Sequence, residues 1–363
     1  MKNIFMIVCI TLLQACSSSS SSEELGPVQG QDNNDSIPVS LEWSIPILEV
    51  LDGGPGKDGI PALVNPELTT IQNITYLTEN DLVIGIKNGD DVRAYPHAIL
   101  DWHEIVNDNL GDISVAITYC PLTGTGIGWN RILDGNQTTF GVSGLLYNTN
   151  LIPYDRATGS NWSQILNESV NGTLLGKSAE LIRLFETDWK TWKSLYPNSR
   201  VLSADTGFAR TYGTSPYGDY NTNNNRFLFP VLKDSRLPSK ERVHAIVDGV
   251  GAKAYRFSDF ISNKIIRDTY MEKNYLIVGN ANFIVSFELV GEQTMLDFEY
   301  VHNSSELLIK DNEGNEWNVF GEAVLGPRTG QFLGDSASFM GMWFSIPPRF
   351  MVVKFYRIYY SDL

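Results

Sequence analysis

The chain has 363 residues, a formal net charge of −15 and 42% hydrophobic side chains. So acidic a surface repels polyanions, which argues against nucleic acid as a partner. Three cysteines are too few for a disulfide-built scaffold, and no apolar run beyond the N-terminus is long enough to cross a bilayer as a helix.

In chain order, Lys2 supplies a positive start, Ile4 to Leu13 a short apolar stretch, and Leu13-Gln14-Ala15-Cys16 a small-residue cleavage site. Residues 1–15 therefore read as a signal peptide rather than a membrane span. The ending resembles a bacterial lipobox, so Cys16 is expected to become the lipidated first residue of the mature chain, and Cys9 to be lost. Ser17 fits sorting to the outer membrane. The expected location is the cell envelope, with a lipid anchor in the outer membrane facing the periplasm or the cell surface. The rest of residues 16–44, rich in Ser, Gly, Asn and Asp, cannot bury enough apolar surface to order itself and reads as a tether.

The remainder predicts a β-rich α+β fold. Ser114 to Tyr119 and Gly126 to Ile132 read as strands, and Leu133-Asp134-Gly135-Asn136 is a hairpin signal. Tyr275 to Val278, Phe283 to Phe287 and Glu306 to Lys310 read as later strands. One helix is predicted, with Thr187 as N-cap, Trp189, Trp192 and Leu195 on one face, and Pro197 as the stop.

An internal repeat runs through these elements. Arg93-Ala94-Tyr95 precedes Asp108 as Lys253-Ala254-Tyr255 precedes Asp268, and Trp162, Val170, Gly172, Gly176 and Trp189 have counterparts in Trp317, Val324, Gly326, Gly330 and Trp343. The reading is two related halves, 45–215 and 216–363, forming one large domain. The end of the second half, from Pro347 onward, is atypical because prolines break the pattern that the first half continues as a helix. Where the first half has His103, Glu104, Tyr119 and Cys120, the second has Asn263, Lys264, Gly279 and Asn280. Residues shared by the halves point to scaffold, and reactive residues present in only one point to chemistry.

Several stretches taken together carry a resemblance. Asp58 to Leu63, Arg93-Ala94-Tyr95-Pro96, Trp102-His103-Glu104-Ile105-Val106-Asn107-Asp108, Thr118-Tyr119-Cys120-Pro121-Leu122, Phe140 to Asn148 and Tyr154-Asp155-Arg156 resemble the bacterial domain of unknown function 3179 family, over about residues 50–330. The resemblance implies no activity. It implies Cys-Pro-Leu-Cys-Gly-Thr where this chain has Cys120-Pro121-Leu122-Thr123-Gly124-Thr125, so a function needing two thiols is not expected here.

Cys120 is thus the one free thiol expected in the mature chain, and it centres the candidate site. A thioredoxin-like role fails because Gly124-Thr125-Gly126-Ile127-Gly128 cannot sustain the helix that would activate the thiol. The leading reading is binding of a small-molecule or peptide ligand, or of a transition metal, zinc or copper, with Cys120 and His103 as metal ligands. The alternative is a thiol-dependent enzyme with Cys120 as nucleophile, His103 as base and Glu104 or Asp101 orienting the imidazole. A non-catalytic scaffold is the third. Tyr119, Thr123, Tyr154, Arg156 and Trp162 are candidate ligand-binding residues, and Tyr212, Tyr217 and Tyr220 form an aromatic loop. His97, His244 and His302 have no reactive neighbours in sequence and read as packing residues.

Overall fold

The computed structural model describes residues 42–249, 251–348, 350 and 352–356. The signal peptide, Cys16 and most of the tether lie outside them, as does the end of the chain from residue 357. Among the described residues α-helix is confined to two seven-residue segments, His97–His103 and Trp189–Leu195, and the rest is strands, short 3₁₀ turns and loops. The protein is a β-rich α+β fold. Among the described residues no helix is long and apolar enough to cross a membrane.

Two hairpins form the middle of the molecule. Leu82–Asn88 pairs with Asp91–Pro96, flanked by Phe185–Asp188 on one side and, in parallel, by Arg200–Leu202 on the other. Arg242–Asp248 pairs with Gly251–Arg256, flanked in the same manner by Ser338–Met342 and, in parallel, by Val352–Phe355. Each hairpin is followed by a three-stranded meander: Ile105–Leu110, Ile113–Cys120 and Thr125–Asn130 after the first, Ile265–Tyr270, Lys273–Gly279 and Ile284–Leu289 after the second.

The alternation of side chains along these strands explains how they pack. In Leu82–Asn88, Val83 faces a core containing Leu276, Phe287 and Trp317, while Ile84 and Ile86 face a core containing Val106, Ile117 and Tyr119. In Arg242–Asp248, Val243 and Ala245 join a core with Ala116, Cys120, Trp129 and Trp162, and Ile246 turns to Tyr255 and Ile277. Each hairpin therefore has both faces covered, one of them by strands from the other half of the chain. Such two-sided burial gives the near-continuous apolar runs of these strands.

Local differences from expectation have simple causes. Asp188, not Thr187, caps the second helix, accepting a hydrogen bond from the Thr191 backbone N–H at 2.7 Å, because the carboxylate is the better acceptor for a helix N-terminus. The expected hairpin forms between Ile132–Leu133 and Asn136–Gln137, with Asp134 and Gly135 at the positive φ its turn requires. The prolines of the atypical tail end only a 3₁₀ turn, Trp343–Ser345, after which the chain re-enters the sheet as Val352–Phe355. The helix His97–His103 has no counterpart in the sequence reading. Seven residues give too little periodicity, and its N-cap, Pro96, makes no side-chain cap.

Candidate functional site

The short helix delivers Asp101 and His103 and ends on Glu104, at φ +58° and ψ −33°. A side chain bearing Cβ resists this conformation, which costs on the order of 1–3 kcal/mol and persists only where surroundings impose it. Two backbone bonds do so. The Glu104 N–H donates to the Leu100 carbonyl at 2.8 Å, and the Glu104 carbonyl accepts from the Tyr119 N–H at 2.6 Å, locking the turn to the strand that carries Cys120.

The consequence is a buried acidic pair. Burial and the neighbouring Asp101 push the Glu104 carboxyl up to about 8, and burial pushes Asp101 up to about 7. Asp101 Oδ1 is buried without a hydrogen-bond partner. Among the described residues no Lys, Arg or His forms an ion pair with either carboxyl. Near neutral pH protons, not counter-charges, keep the pair tolerable.

Cys120 closes the strand Ile113–Cys120 at a tight turn in which the Gly124 N–H donates to the Cys120 carbonyl at 2.8 Å and Gly124 adopts φ +63°. The residue is 1% exposed, and its Sγ donates to the Thr149 carbonyl at 3.7 Å. Burial, and then the Glu104 charge, push the thiol up, so it is held as the neutral thiol. Thr123 is fully buried and hydrogen bonded to Thr125 Oγ1 and Asn150 Nδ2, each at 2.9 Å, and Gln164 completes the network through Thr125 and Thr118. Tyr119 packs its ring on His97 at 4.3 Å. In this state Tyr119 and Thr123 serve the interior.

His103 is committed elsewhere. Its Nδ1 lies 2.7 Å from the Pro61 carbonyl, which can only accept, so Nδ1 carries the proton and Nε2 accepts from the Tyr212 hydroxyl at 2.6 Å. Burial holds the imidazole below its usual range, and Arg210 adds to this. Both ring nitrogens are occupied, and no hydrogen bond joins His103 to Cys120. Zinc or copper bound by Cys120 and His103 does not fit this arrangement, and among the described residues no three His, Cys, Asp or Glu side chains are grouped to hold a metal ion.

Residues 203–241 cover the site as a long loop without strands or helices. Tyr212 reaches His103, and Trp102 Nε1 donates to the Thr214 carbonyl at 3.2 Å. Burial, then Glu104, Cys120 and Asp101, raise the Tyr217 phenol far above its usual range, which places that ring within the field of all three. Tyr220 is fully buried and donates to the Leu122 carbonyl at 3.0 Å, fastening the loop to the turn that carries Cys120. Lys240 Nζ lies 3.1 Å from the Tyr220 ring centroid, near Phe227 and Phe344, with no hydrogen-bond partner, and burial pushes its amine down to about 7. Tyrosines between glycines and asparagines made this loop visible in the sequence. Nothing there marked Lys240 as the partner of Tyr220, or Asn150 as the partner of Thr123.

The remaining candidates belong to other clusters. Tyr154 donates to Asp58, which also receives Arg156 at 2.7 Å, and together they pin the 53–60 segment to the Asn150–Asp155 strand. Trp162 is fully buried against Trp129 and Phe140, its indole N–H donating to Asp155 at 3.1 Å. His97 faces Glu186 at 3.3 Å, His244 is hydrogen bonded to Ser286, and His302 Nδ1 lies 3.2 Å from the Leu307 carbonyl.

Fold and site together define a β-rich protein of two hairpin-centred sheets, with a buried thiol and two uncompensated carboxyls under a long aromatic loop. The chain belongs to the family described as protein of unknown function (DUF3179), whose model matches residues 57–350. No curated protein and no solved structure matches it.

Proposed function

We propose that the protein is a lipid-anchored component of the cell envelope that binds a small organic cation, an amine or quaternary ammonium, where Asp101, Glu104 and Cys120 lie beneath residues 203–241. The observation that carries this reading is the Asp101–Glu104 pair, two buried carboxyls with raised pKa values and no cationic partner. Such a pair is costly in the closed state and gains its counter-charge when a cation enters. Tyr217 and Tyr220 supply rings of the kind that hold ammonium groups, and Tyr220 already carries the Lys240 ammonium. The lipobox at Cys16 supports the anchor, and loss of fatty-acid labelling in Cys16→Ala tests it.

Binding by this route displaces protons. Titration calorimetry with tetramethylammonium at pH 7, in two buffers of different ionisation enthalpy, should show a buffer-dependent heat that Glu104→Gln diminishes. Binding with no proton release would sink the reading.

A thiol-dependent enzyme is the second reading, favoured by one observation: the Glu104 charge acts on Cys120, whereas His103 is bound to Pro61 and Tyr212. Glu104 would then be the proton acceptor. The pH dependence of Cys120 alkylation should change in Glu104→Gln and not in His103→Gln.

We also read the two halves as copies of one unit. Their hairpins have the same neighbours in the same directions. Tyr95 donates to Asp108 at 2.7 Å as Tyr255 donates to Asp268 at 2.8 Å, and Trp162 meets Asp155 as Trp317 meets Asp311. With Lys264 and Asn280 in the places of Glu104 and Cys120, the second copy lacks the site.

A further inference from the structure

A cavity of about 250 Å³ lies in the seam between the halves, and the hydroxyls that line it come from the second half. The first half contributes Ile84, Gly128, Ile182 and Leu184. The second contributes Ser286, Ser336 and Ser338, with His244 next to them: its Nε2 is 2.8 Å from Ser286 Oγ, which in turn lies 2.9 Å from Ser336 Oγ and 3.0 Å from Ser338 Oγ.

Strand register makes the contrast sharper. Ile84 stands opposite Tyr95 in the first hairpin, and His244 opposite Tyr255 in the second. Gly128 stands opposite Ile117 in the first meander, and Ser286 opposite Ile277 in the second. At matching places the first half is apolar and the second carries a hydroxyl or an imidazole. A stability requirement alone is met by the apolar choice, as the first half demonstrates.

Behind the polar wall His244 is 5% exposed; its Nε2 orients the Ser286 hydroxyl, while its Nδ1 is buried with no partner. The charges around the cavity are already paired: Glu186 with Arg242 and His97, Arg183 with Asp335, and Lys273 with Asp248 and Glu288. With these lining charges already paired, an uncharged ligand suits the cavity better than an ionic one. The volume falls just under the ~300–1,000 Å³ of pockets that enclose drug-sized molecules.

We propose that this seam cavity is a second binding site, taking a small uncharged amphiphile whose apolar body lies on Ile84, Ile182 and Leu184 and whose hydroxyl or amide meets Ser286, Ser336 and Ser338, with His244 behind Ser286. Asp101, Glu104 and Cys120 are not among its lining residues.

Cyclohexanol is a suitable probe, a rigid apolar body with one hydroxyl, and cyclohexylamine and cyclohexanecarboxylate are its charged counterparts. Ligand-detected NMR titration of the purified protein should show saturable cyclohexanol binding, weakened about tenfold in Ser286→Ala through loss of one hydrogen bond. Binding should vanish in Ser336→Phe, which fills the cavity, while circular dichroism reports whether that variant keeps its fold. Glu104→Gln should leave cyclohexanol affinity unchanged. The proposal is overturned by absence of saturable binding, by either charged counterpart binding as tightly as cyclohexanol, or by unchanged affinity in Ser286→Ala.

Discussion

Replacing Glu104 by Gln tests the electrostatics of the candidate site directly, because Gln copies the protonated carboxyl in shape and cannot ionise. Burial and Asp101 raise the folded pKa of Glu104 from 4.5 to about 8. Between those values the folded state keeps a proton that the unfolded state gives up. The contribution to stability is therefore complete below about pH 4.5, drains as pH rises, and reaches a constant deficit above about pH 8. At 1.36 kcal/mol per pKa unit the deficit is on the order of 3–5 kcal/mol, a large fraction of the ~5–15 kcal/mol that holds a domain together.

Urea unfolding followed by tryptophan fluorescence, repeated from pH 5 to pH 9, measures this as a change in midpoint at constant slope. The difference between variant and wild type isolates Glu104. The wild-type profile alone does not, because Lys240, pushed down to about 7, binds fewer protons folded than unfolded and so adds stability as pH rises above 7. His244, pushed down to about 4, removes stability as pH falls from its usual range. Glu104→Gln should match wild type near pH 5 and exceed it by several kcal/mol at pH 9. Parallel profiles, differing by less than about 0.5 kcal/mol across the range, would refute the assignment of a buried, protonated Glu104.

Other consequences concern the thiol, the turn and the proposed equivalence of the two halves. Cys120 should alkylate slowly at pH 8 in the native protein and at least tenfold faster in Tyr220→Ala, which unfastens the loop from Leu122; equal rates would mean that residues 203–241 do not control access. Thr123→Cys puts a second thiol within hydrogen-bonding reach of Cys120, so oxidised glutathione present while the variant refolds from urea should consume both thiols by thiol assay, and persistence of both would contradict the turn geometry. Trp162→Phe and Trp317→Phe each strip the indole donor from a buried aspartate, and each should cost about 1–3 kcal/mol in urea unfolding. A large cost at one and none at the other would count against reading the halves as equivalent.

The strands were legible because each carries its own information: alternation, β-branched residues and a turn signal lie within ten residues of one another. Leu307–Asp311 and Lys273–Gly279 appear where composition places them, to within a residue or two at each end. The helix His97–His103 was not legible, since its conformation depends on the Pro96 entry and on the strand that holds Glu104, features distant in sequence or devoid of periodicity. The same distinction separates the parts of the site. That Cys120, Glu104 and His103 deserved notice followed from their absence at the matching places of the second half. Which of them act on one another did not follow, because a tight turn at Glu104 sends neighbouring side chains to different surroundings: His103 to Pro61 and Tyr212, Glu104 into the field of Asp101 and Cys120. Residue type and shared absence from the second half suggested a Cys–His pair. The fold instead puts the thiol in the field of the Glu104 carboxyl and His103 on Pro61 and Tyr212, and this is the arrangement on which the proposed proton-linked recognition of a cation rests.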